Sequence, residues 1–232
     1  MKKKTITLLL PTLNEVVGFK AIFPRIDTNL FDEILVIDGG STDGTVEYAK
    51  SQNLHLVTQK EKGLGPAVME AMSIIQTDCV IEFSLDGNCL VEQLPQLVEN
   101  LHRGDDLVVV SRYLPPAVSY DDTFITAFGN KMFTFFIGLL GKFNPTDTLT
   151  IYRGFDIKIS KYPEFKKFLY GPVFEPLISA VAINRKLTIS EIPGDEPARI
   201  GGKSKMSVVY NGLCILLCIL RMYIFKIFKL MV

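Results

Sequence analysis

Short apolar runs alternate with amphipathic segments along the first half of the chain. The runs are rich in Val, Ile and Leu and fall at residues 6–10, 34–37, 54–58, 80–84 and 107–111. They are nearly continuously apolar, which is typical of strands buried on both faces of a parallel sheet. Between them, residues 67–75 carry apolar side chains at helical spacing, and a second helical pattern begins at Pro95. The alternation predicts an α/β fold, with a mostly parallel sheet flanked by helices.

The second half of the chain has longer apolar segments. Residues 124–140 are largely apolar and aromatic, residues 174–184 predict a helix, and residues 187–193 predict a strand. The last segment, residues 206–232, has no charge before Arg221. We therefore predict one domain over residues 1–205, followed by an apolar C-terminal helix over residues 206–232.

The C-terminal segment has two interpretations. Its uncharged part is shorter than the roughly 20 residues of a membrane-spanning helix, and Arg221, Lys226 and Lys229 gather on one side of a helical wheel. This pattern favours a helix that lies in the headgroup region of a membrane. The alternative is a buried helix, or one that forms a homo-oligomer.

Composition narrows the class of protein. The 232 residues contain 25 basic and 25 acidic side chains, so no basic excess indicates a nucleic-acid partner. The four cysteines form no C-x-x-C pair, which predicts free thiols in a reducing compartment rather than a zinc site. The N-terminal apolar run is short and is followed by the polar T-L-N-E, which indicates a first strand rather than a secretion signal. We expect a cytoplasmic protein.

The stretch V-I-D-G-G-S-T-D-G-T ends the second predicted strand with a carboxylate. Ligands of open α/β sheets bind at the carboxyl ends of strands, where Asp38 lies, and Gly39 and Gly40 allow the backbone to turn close to a ligand. Asp38 could accept hydrogen bonds from a base or a ribose, or could simply form the turn. Asp43 is placed to cap the following helix.

Two further segments point to a nucleotide ligand. The first strand ends P-T-L-N-E, which brings Glu15 to the same edge of the sheet. Lys60 and Lys62 flank K-G-L-G-P, a helix start that offers amides and positive charge to a diphosphate. The segment lacks the spacing of a Walker A loop, and Val68 replaces the third glycine of a dinucleotide fingerprint.

The fourth predicted strand ends F-S-L-D-G-N. Asp86 and Asn88 are oxygen ligands suited to a hard divalent ion that keeps other positions for phosphate oxygens and water. Such an ion would neutralise charge on a departing nucleoside diphosphate. An Asp-Gly turn without an ion is the alternative.

Taken in order, these motifs resemble one family. L-P-T-L-N-E, V-I-D-G-G-S-T-D-G-T, K-G-L-G-P-A, S-L-D-G-N and V-S-R-Y are similar to the motifs of family-two glycosyltransferases of the GT-A fold. The later G-N-K, D-T-L-T-I-Y-R and R-I-G-G-K-S-K look like the branch of polyprenyl- and dolichyl-phosphate mannosyl- and glucosyltransferases. The resemblance covers about residues 5–210.

The resemblance implies roles for individual residues. Those for the nucleotide-sugar are Pro11, Glu15, Asp38, Lys62, Gly63 and Asp86. Asp86 and Asn88 would hold Mg²⁺ or Mn²⁺. The acceptor phosphate or the donor diphosphate would meet Arg112, Arg153, Arg199, Ser204 and Lys205. Two positions depart from the family pattern: Ser84 replaces the first aspartate of the metal motif, and D-T-L-T-I-Y-R replaces D-x-T-S-G-F-R.

The implied reaction moves a hexosyl group, with inversion, from a UDP- or GDP-sugar to a polyprenyl phosphate or another lipid-linked glycan intermediate. Catalysis would rest on Asp86, Arg112, Arg153 and Glu175. A lipid phosphate could attack unaided, whereas a hydroxyl would need a base: Glu175 first, Asp147 second. Glu175 could instead stabilise its helix through the helix dipole. The enzyme would be peripheral on the cytoplasmic face of a membrane.

Two other classes of function are considered. A non-catalytic nucleotide-sugar or lipid-binding protein would explain Ser84 as the mark of a decayed metal site. A sugar nucleotidyltransferase would need a glycine-rich, lysine-bearing loop directly after the first strand, and P-T-L-N-E is not one. The retained arginines favour the glycosyltransferase.

Overall fold

A seven-stranded sheet forms the centre of the protein. The computed structural model describes residues 3–200 and 207–230. Within these residues the strands are β1 (Ile6–Thr12), β2 (Glu33–Asp38), β3 (His55–Thr58), β4 (Cys79–Glu82), β5 (Leu107–Ser111), β6 (Arg153–Asp156) and β7 (Ile189–Pro193). Their order is β3-β2-β1-β4-β6-β5-β7, and every neighbouring pair is parallel except those made by β6.

Helices cover both faces of this sheet. They are α1 (Val16–Ile22), α2 (Thr45–Ser51), α3 (Leu64–Ile74), α4 (Leu94–Arg103), α5 (Phe124–Gly138), α6 (Pro163–Phe168), α7 (Phe174–Asn184) and α8 (Val208–Leu230). Helices α1, α2 and α4 pack on one face, together with Leu8 and Leu10 of β1. Helices α3, α5, α6, α7 and α8 pack on the other face, together with Leu9. Because successive side chains of a strand point to opposite faces, one apolar run serves both cores. The predicted α/β fold is confirmed.

Strand β6 is the strand that the sequence pattern missed; helices α1 and α6 were not predicted either. Its four residues, R-G-F-D, include only one large apolar side chain, so no apolar run marks them. The strand forms because it runs antiparallel between β4 and β5 and hydrogen-bonds to both. Arg153 thereby lies opposite Glu82 of β4 and Val109 of β5.

Two smaller expectations also need correction. Strand β4 ends at Glu82 rather than at residue 84, because the chain then turns through the Asp86 segment. The N-cap residue of α2 is Gly44, not Asp43. Asp43 nevertheless joins two helices, since its Oδ1 accepts the Thr45 amide at 3.0 Å and its Oδ2 accepts the Val16 amide at 3.0 Å.

The C-terminal helix α8 is part of the core. One side of it packs on α5, α6 and α7 through Cys214, Ile215, Cys218, Ile219 and Met222. The other side leaves large apolar residues exposed: Leu213, Leu216, Leu217, Leu220 and Ile224. Residues Val208–Phe228 are long and apolar enough to cross a membrane, with a mean hydropathy of 2.0, and 28% of that window is buried against the protein. The domain boundary at residue 205 stays a prediction.

Candidate active site

The ends of six strands meet at one edge of the sheet. Strands β1, β2, β3, β4, β5 and β7 share one direction, because β1 is parallel to β2 and β4, β2 is parallel to β3, and β5 is parallel to β7 across the antiparallel β6. The segments after these strands carry most of the predicted site residues: Glu15, Asp38, Asp86, Asn88, Arg112 and Arg199. Ligands of open α/β sheets bind at such an edge.

Asp38 closes a turn at the end of β2. The residue is 1% exposed, and its Oδ2 accepts the amides of Gly40 at 2.8 Å and Ser41 at 2.9 Å. Its Oδ1 accepts only the Thr12 hydroxyl, at 3.4 Å. Gly40 has a φ of 92°, which explains the glycine at this turn. The Oδ2 atom of the carboxylate therefore stabilises the turn. The Oδ1 atom makes only a long hydrogen bond.

The loops after β1 and β2 are tied together. The Asn14 amide donates to the Ser41 hydroxyl at 2.8 Å, and the Asn14 side chain accepts the Thr42 amide at 2.8 Å. The Glu15 amide donates to the Thr45 hydroxyl at 3.0 Å. Pro11 lies in β1, where it is paired with Ile37 of β2. These bonds fix the edge where the nucleoside is predicted to bind.

The predicted diphosphate segment precedes α3. Gly63 is the N-cap residue and has a φ of 116°, which disfavours any side chain there. Lys62 is exposed. A Cβ on Gly65 would lie 2.6 Å from the Gly171 carbonyl oxygen, so the start of α3 lies directly against the loop before α7.

Asp86 and Asn88 belong to a cluster that also includes Asp121 and Arg199. The Asp86 Oδ1 accepts the Asn88 amide at 3.0 Å, and its Oδ2 lies 2.9 Å from an Arg199 terminal nitrogen. The Asp121 Oδ2 accepts the Asn88 Nδ2 at 3.0 Å and the Arg199 Nε at 3.2 Å. The Ile200 amide donates to the Asp86 carbonyl at 2.6 Å, so Ile200 contacts this turn directly.

The oxygen atoms of this cluster fit a divalent cation. The Asn88 Oδ1 is buried and has no hydrogen-bond partner, which is costly unless something binds there. A carboxylate and an amide oxygen are ligands that Mg²⁺ and Mn²⁺ accept. The part of the chain that the structure describes has no group of three Asp, Glu, His or Cys side chains arranged for a metal. Asp86 and Asn88 alone would leave most ligand positions to phosphate oxygens and water.

Arg112 forms a second cluster, after β5. Its Nε lies 2.6 Å from the Asp147 Oδ2, and a terminal nitrogen donates to the Asp147 Oδ1 at 3.0 Å. Its other terminal nitrogen lies 3.3 Å from the Glu196 Oε1. The Tyr113 ring stacks at 5.3 Å from the guanidinium carbon. The Arg112 side chain is 11% exposed, so it reaches the edge of the sheet already paired.

The charges of this cluster decide against one predicted base. Burial by itself raises the pKa of Asp147, but the Arg112 guanidinium and the Leu149 amide hold that pKa below its usual value. Asp147 is completely buried. A carboxylate with a lowered pKa and a bidentate partner is a poor proton acceptor, so the structure disfavours Asp147 as the general base.

Arg153 lies in a third cluster, under the first turn of α7. Its five N–H groups donate to the carbonyls of Thr148, Thr150 and Glu175 and to the Ser179 hydroxyl, with Thr150 accepting twice. The residue is 0% exposed. In this arrangement Arg153 has no donor left for a ligand phosphate, and its catalytic and phosphate-binding roles stay predictions that require these bonds to break.

Two carboxylates accompany Arg153. Glu82 is completely buried, lies opposite Arg153 in the sheet, and makes no hydrogen bond with either side-chain oxygen. Burial raises the pKa of Glu82 well above its usual value, Glu175 raises it further, and Arg153 opposes both. Burial also raises the pKa of Glu175, against the attraction of Arg153. Glu175 is 8% exposed, whereas the other predicted base, Asp147, is completely buried.

The structure thus divides the predicted residues among separate clusters. Asp86, Asn88 and Arg199 come together, Arg112 pairs elsewhere, and Arg153 and Glu175 share a third cluster. Ser204 and Lys205 lie outside the described residues. Sequence reasoning missed Glu82, Asp121 and Glu196. A charged residue inside the apolar run V-I-E-F was the available signal for Glu82; Asp121 and Glu196 had none.

The family model for glycosyl transferase family 2 matches residues 7–161. This stretch is most of the chain and contains the turns of Asp38, Asp86 and Arg112. The chain belongs to glycosyl transferase family 2. The resemblance inferred from the motifs is confirmed.

Relatives within the family carry related names. Glycosyltransferase AglJ of Haloferax volcanii is 31% identical over 154 residues, which is 65% of this chain and 50% of that protein. The UDP-N-acetylglucosamine--dolichyl-phosphate N-acetylglucosaminyltransferase of Methanococcus voltae is 24% identical over 217 residues, 83% of this chain and 86% of that protein. The aligned part of this chain spans about half the length of AglJ.

A solved structure has the same fold. Glucosyl-3-phosphoglycerate synthase from Mycobacterium tuberculosis, in complex with Mn²⁺, UDP and phosphoglyceric acid, superposes with a TM-score of 0.72 and is 20% identical. The match covers 94% of this chain and 78% of that one. At this identity the match supports the family 2 fold alone.

Proposed function

We propose that this family 2 protein transfers a hexosyl group, with inversion, from a UDP- or GDP-sugar to a polyprenyl phosphate or another lipid-linked glycan intermediate. The observation that carries the proposal is the common edge of β1, β2, β4 and β5, to which Asp38, Asp86 and Arg112 all belong. The dolichyl-phosphate acceptor named for the Methanococcus voltae relative supports a lipid phosphate as acceptor.

On the donor side, each residue has one task. Pro11, Glu15 and Asp38 border the nucleoside, and the loops after β1 and β2 are held together so that this edge does not need to reorganise on binding. Lys62 and the amides after Gly63 meet the diphosphate. Asp86 and Asn88 would hold Mg²⁺ or Mn²⁺, and a bound ion of this kind neutralises charge on the departing diphosphate.

On the acceptor side, the nature of the nucleophile decides which residue matters. A lipid phosphate is already anionic, and Arg112 at the edge of the sheet would orient it. A sugar hydroxyl must lose its proton, and Glu175 would take it. Burial raises the pKa of Glu175 above its usual value, which makes the carboxylate a stronger base than an exposed one.

The first test is a substrate panel. UDP-glucose, UDP-N-acetylglucosamine and GDP-mannose are incubated with polyprenyl phosphate, with and without Mn²⁺, and release of nucleoside diphosphate is measured. We expect release from one donor to rise with the lipid phosphate, and Asp86→Asn to abolish it. Glu92→Gln, at an exposed surface ion pair, is the matched control and should react as wild type. Absence of turnover with tight nucleotide binding would instead favour a binding protein.

Glu175→Gln separates the two kinds of acceptor. With a hydroxyl acceptor we expect kcat to fall by about 10²–10⁴, because the general base is lost. With a lipid phosphate acceptor we expect little change in kcat. The configuration of the product, read by NMR coupling constants, tests inversion in the same reaction.

We further propose that the protein docks on the cytoplasmic face of a membrane through an α5–α8 surface. This surface consists of exposed apolar residues: Phe124, Ile125, Phe128 and Phe135 of α5, Leu139 directly after it, and Leu213, Leu216, Leu217, Leu220 and Ile224 of α8. The two helices are in contact, and the Tyr223 hydroxyl donates to the Phe136 carbonyl at 2.7 Å. A group of exposed apolar residues on two adjacent helices is typical of a membrane or protein contact, and the exposed basic Arg221 on α8 favours lipid headgroups.

Vesicle binding tests this docking. We expect Phe128→Ser with Leu220→Ser to lower co-sedimentation with liposomes, while Val17→Ser, exposed on the opposite helix layer, leaves it unchanged. Equal sedimentation of all three proteins would contradict membrane docking. A dimer in lipid-free solution that the double variant abolishes would assign the surface to a homo-oligomer instead.

A further inference from the structure

The geometry points to Asp121 as an additional metal-binding residue: with Asp86 and Asn88 it forms a divalent-cation site, and Arg199 occupies the place of the ion in this structure. This inference deepens the proposed function. Only the role of the bound ion in sugar transfer rests on that proposal; the binding of the ion does not. It concerns a residue outside the D-G-N turn, in the segment between β5 and α5.

The first observation is that a cation already bridges the two carboxylates. Arg199 reaches the Asp86 Oδ2 at 2.9 Å and the Asp121 Oδ2 at 3.2 Å. Two atoms that contact one guanidinium are close enough for mutual repulsion, so the pair needs positive charge between its members. A guanidinium supplies one unit of charge, whereas a divalent ion would balance both carboxylates.

The second observation is an unused oxygen on Asn88, the residue that donates a hydrogen bond to each of the two carboxylates. Asn88 is 8% exposed; its amide donates to Asp86 and its Nδ2 donates to Asp121, while its Oδ1 has no partner. A guanidinium that already contacts both carboxylates does not use this oxygen. A small ion with six oxygen ligands would.

The third observation explains why a further carboxylate is needed. Ser84 has a hydroxyl where the family pattern has an acid, and this hydroxyl accepts the Asp86 amide at 3.3 Å. The turn itself therefore offers one carboxylate. Asp121 restores a second one from a different segment of the chain.

The proposal also accounts for the position of Arg199. The guanidinium contacts both proposed carboxylate ligands and therefore occupies the position between them. Its side chain is 30% exposed and can leave towards solvent. Arg199 and the divalent ion would then compete for the same two carboxylates.

Binding of Mn²⁺, measured by the loss of the free-ion EPR signal, tests this directly. The full chain is titrated with Mn²⁺ alone and then with Mn²⁺ and UDP, with no sugar transfer involved. We expect Asp121→Asn to weaken Mn²⁺ binding on the order of tenfold, and Arg199→Ala to strengthen it because the competing cation is removed. Circular dichroism confirms that each variant is folded.

Two more variants sharpen the result. Asp122→Asn removes the adjacent carboxylate, which accepts the Tyr113 hydroxyl instead, and should leave Mn²⁺ binding unchanged. Ser84→Asp added to Asp121→Asn should restore binding, because it returns the second carboxylate to the turn. Wild-type affinity in Asp121→Asn, unchanged or weaker binding in Arg199→Ala, or no Mn²⁺ binding by any variant would overturn the inference.

The outcome is separable from that of the proposed function. If Mn²⁺ binding follows the expected order but no donor turns over, the site stands and the transferase proposal fails. If a sugar is transferred while Asp121→Asn binds Mn²⁺ as wild type does, the transferase stands and the inference fails.

Discussion

Two arginines of the same sheet, Arg112 and Arg153, have opposite surroundings. Arg112 follows the end of β5 and is held by two carboxylates, Asp147 and Glu196. Arg153 lies inside the sheet at the start of β6, and all of its N–H groups donate to neutral oxygen atoms. The side-chain carboxylates of the nearby Glu82 and Glu175 act on Arg153 through their charge and accept none of these hydrogen bonds.

The comparison shows that a buried cation can be stabilised in two ways. Arg112 is stabilised by ion pairing, and Asp147 raises the pKa of Arg112 against the effect of burial. Arg153 is stabilised mainly by hydrogen bonds to backbone carbonyls, and burial lowers the pKa of Arg153 despite the neighbouring acids. The first arrangement leaves charges at the edge of the sheet; the second fastens α7 to the sheet.

The largest effect is expected from Arg153→Met. This change removes five hydrogen bonds and leaves buried oxygen atoms without donors, so we expect the free energy of unfolding to fall by about 3–5 kcal/mol. Urea denaturation followed by circular dichroism measures it. The matched control is Arg25→Met, which breaks an exposed ion pair with Glu92 and should cost less than about 1 kcal/mol. Similar losses in the two variants would contradict a role of Arg153 in holding α7.

Asp147→Asn tests the ion-paired cluster. We expect a loss of about 1–3 kcal/mol at pH 7, because a charged hydrogen bond to Arg112 becomes a neutral one. The pKa of Asp147 is lowered by folding, so its stabilisation is present above the unfolded-state value near 3.8 and is lost as pH falls through the folded-state pKa. Urea titrations between pH 7 and pH 3 should show wild type and variant converging in acid. A gap that does not narrow would argue against ion pairing.

Glu82→Gln tests the other cluster and has the opposite dependence on pH. The pKa of Glu82 is raised by burial, so the wild type loses stability as pH rises above the unfolded-state value of 4.5 towards the folded-state pKa. The neutral variant does not. We expect the free energy of unfolding of the variant, relative to that of the wild type, to rise by roughly 1 kcal/mol for each pH unit in that window. A difference that is constant with pH would mean that Glu82 is ionised and paired in the folded protein.

The smallest effect is expected from Glu196→Gln. Its contacts with Arg112 are long, at 3.3 and 3.5 Å, and Asp147 remains as the main partner. We expect a loss of about 0.5–1 kcal/mol, measured by the same denaturation at pH 7. A loss as large as that of Asp147→Asn would show that the two carboxylates share the guanidinium equally.

The strand ends were predictable because their chemistry is local. V-I-D-G-G and F-S-L-D-G-N each join an apolar run to a turn and a carboxylate, and in a parallel sheet such ends meet at one edge. Helix α7 was predicted with its observed bounds because the segment is largely apolar and long enough to be buried as a helix. The order of the motifs along the chain was sufficient to identify the family.

The partners of the arginines were not predictable, because they come from distant parts of the chain. Asp147 lies 35 residues from Arg112 and Glu196 lies 84 residues away. Arg153 faces Glu82 only because a strand with one large apolar residue pairs between β4 and β5. The sequence R-G-F-D has no pattern that predicts this strand pairing.

The sequence by itself determined the alternating α/β order, the edge that carries the site and the family, since each depends on residues adjacent in the chain. Only the tertiary structure decided which acids neutralise which arginines, that Arg199 bridges Asp86 and Asp121, and that α8 joins the core while exposing an apolar side. These depend on burial and on contacts between remote segments, and electrostatic free energies change most where water is excluded.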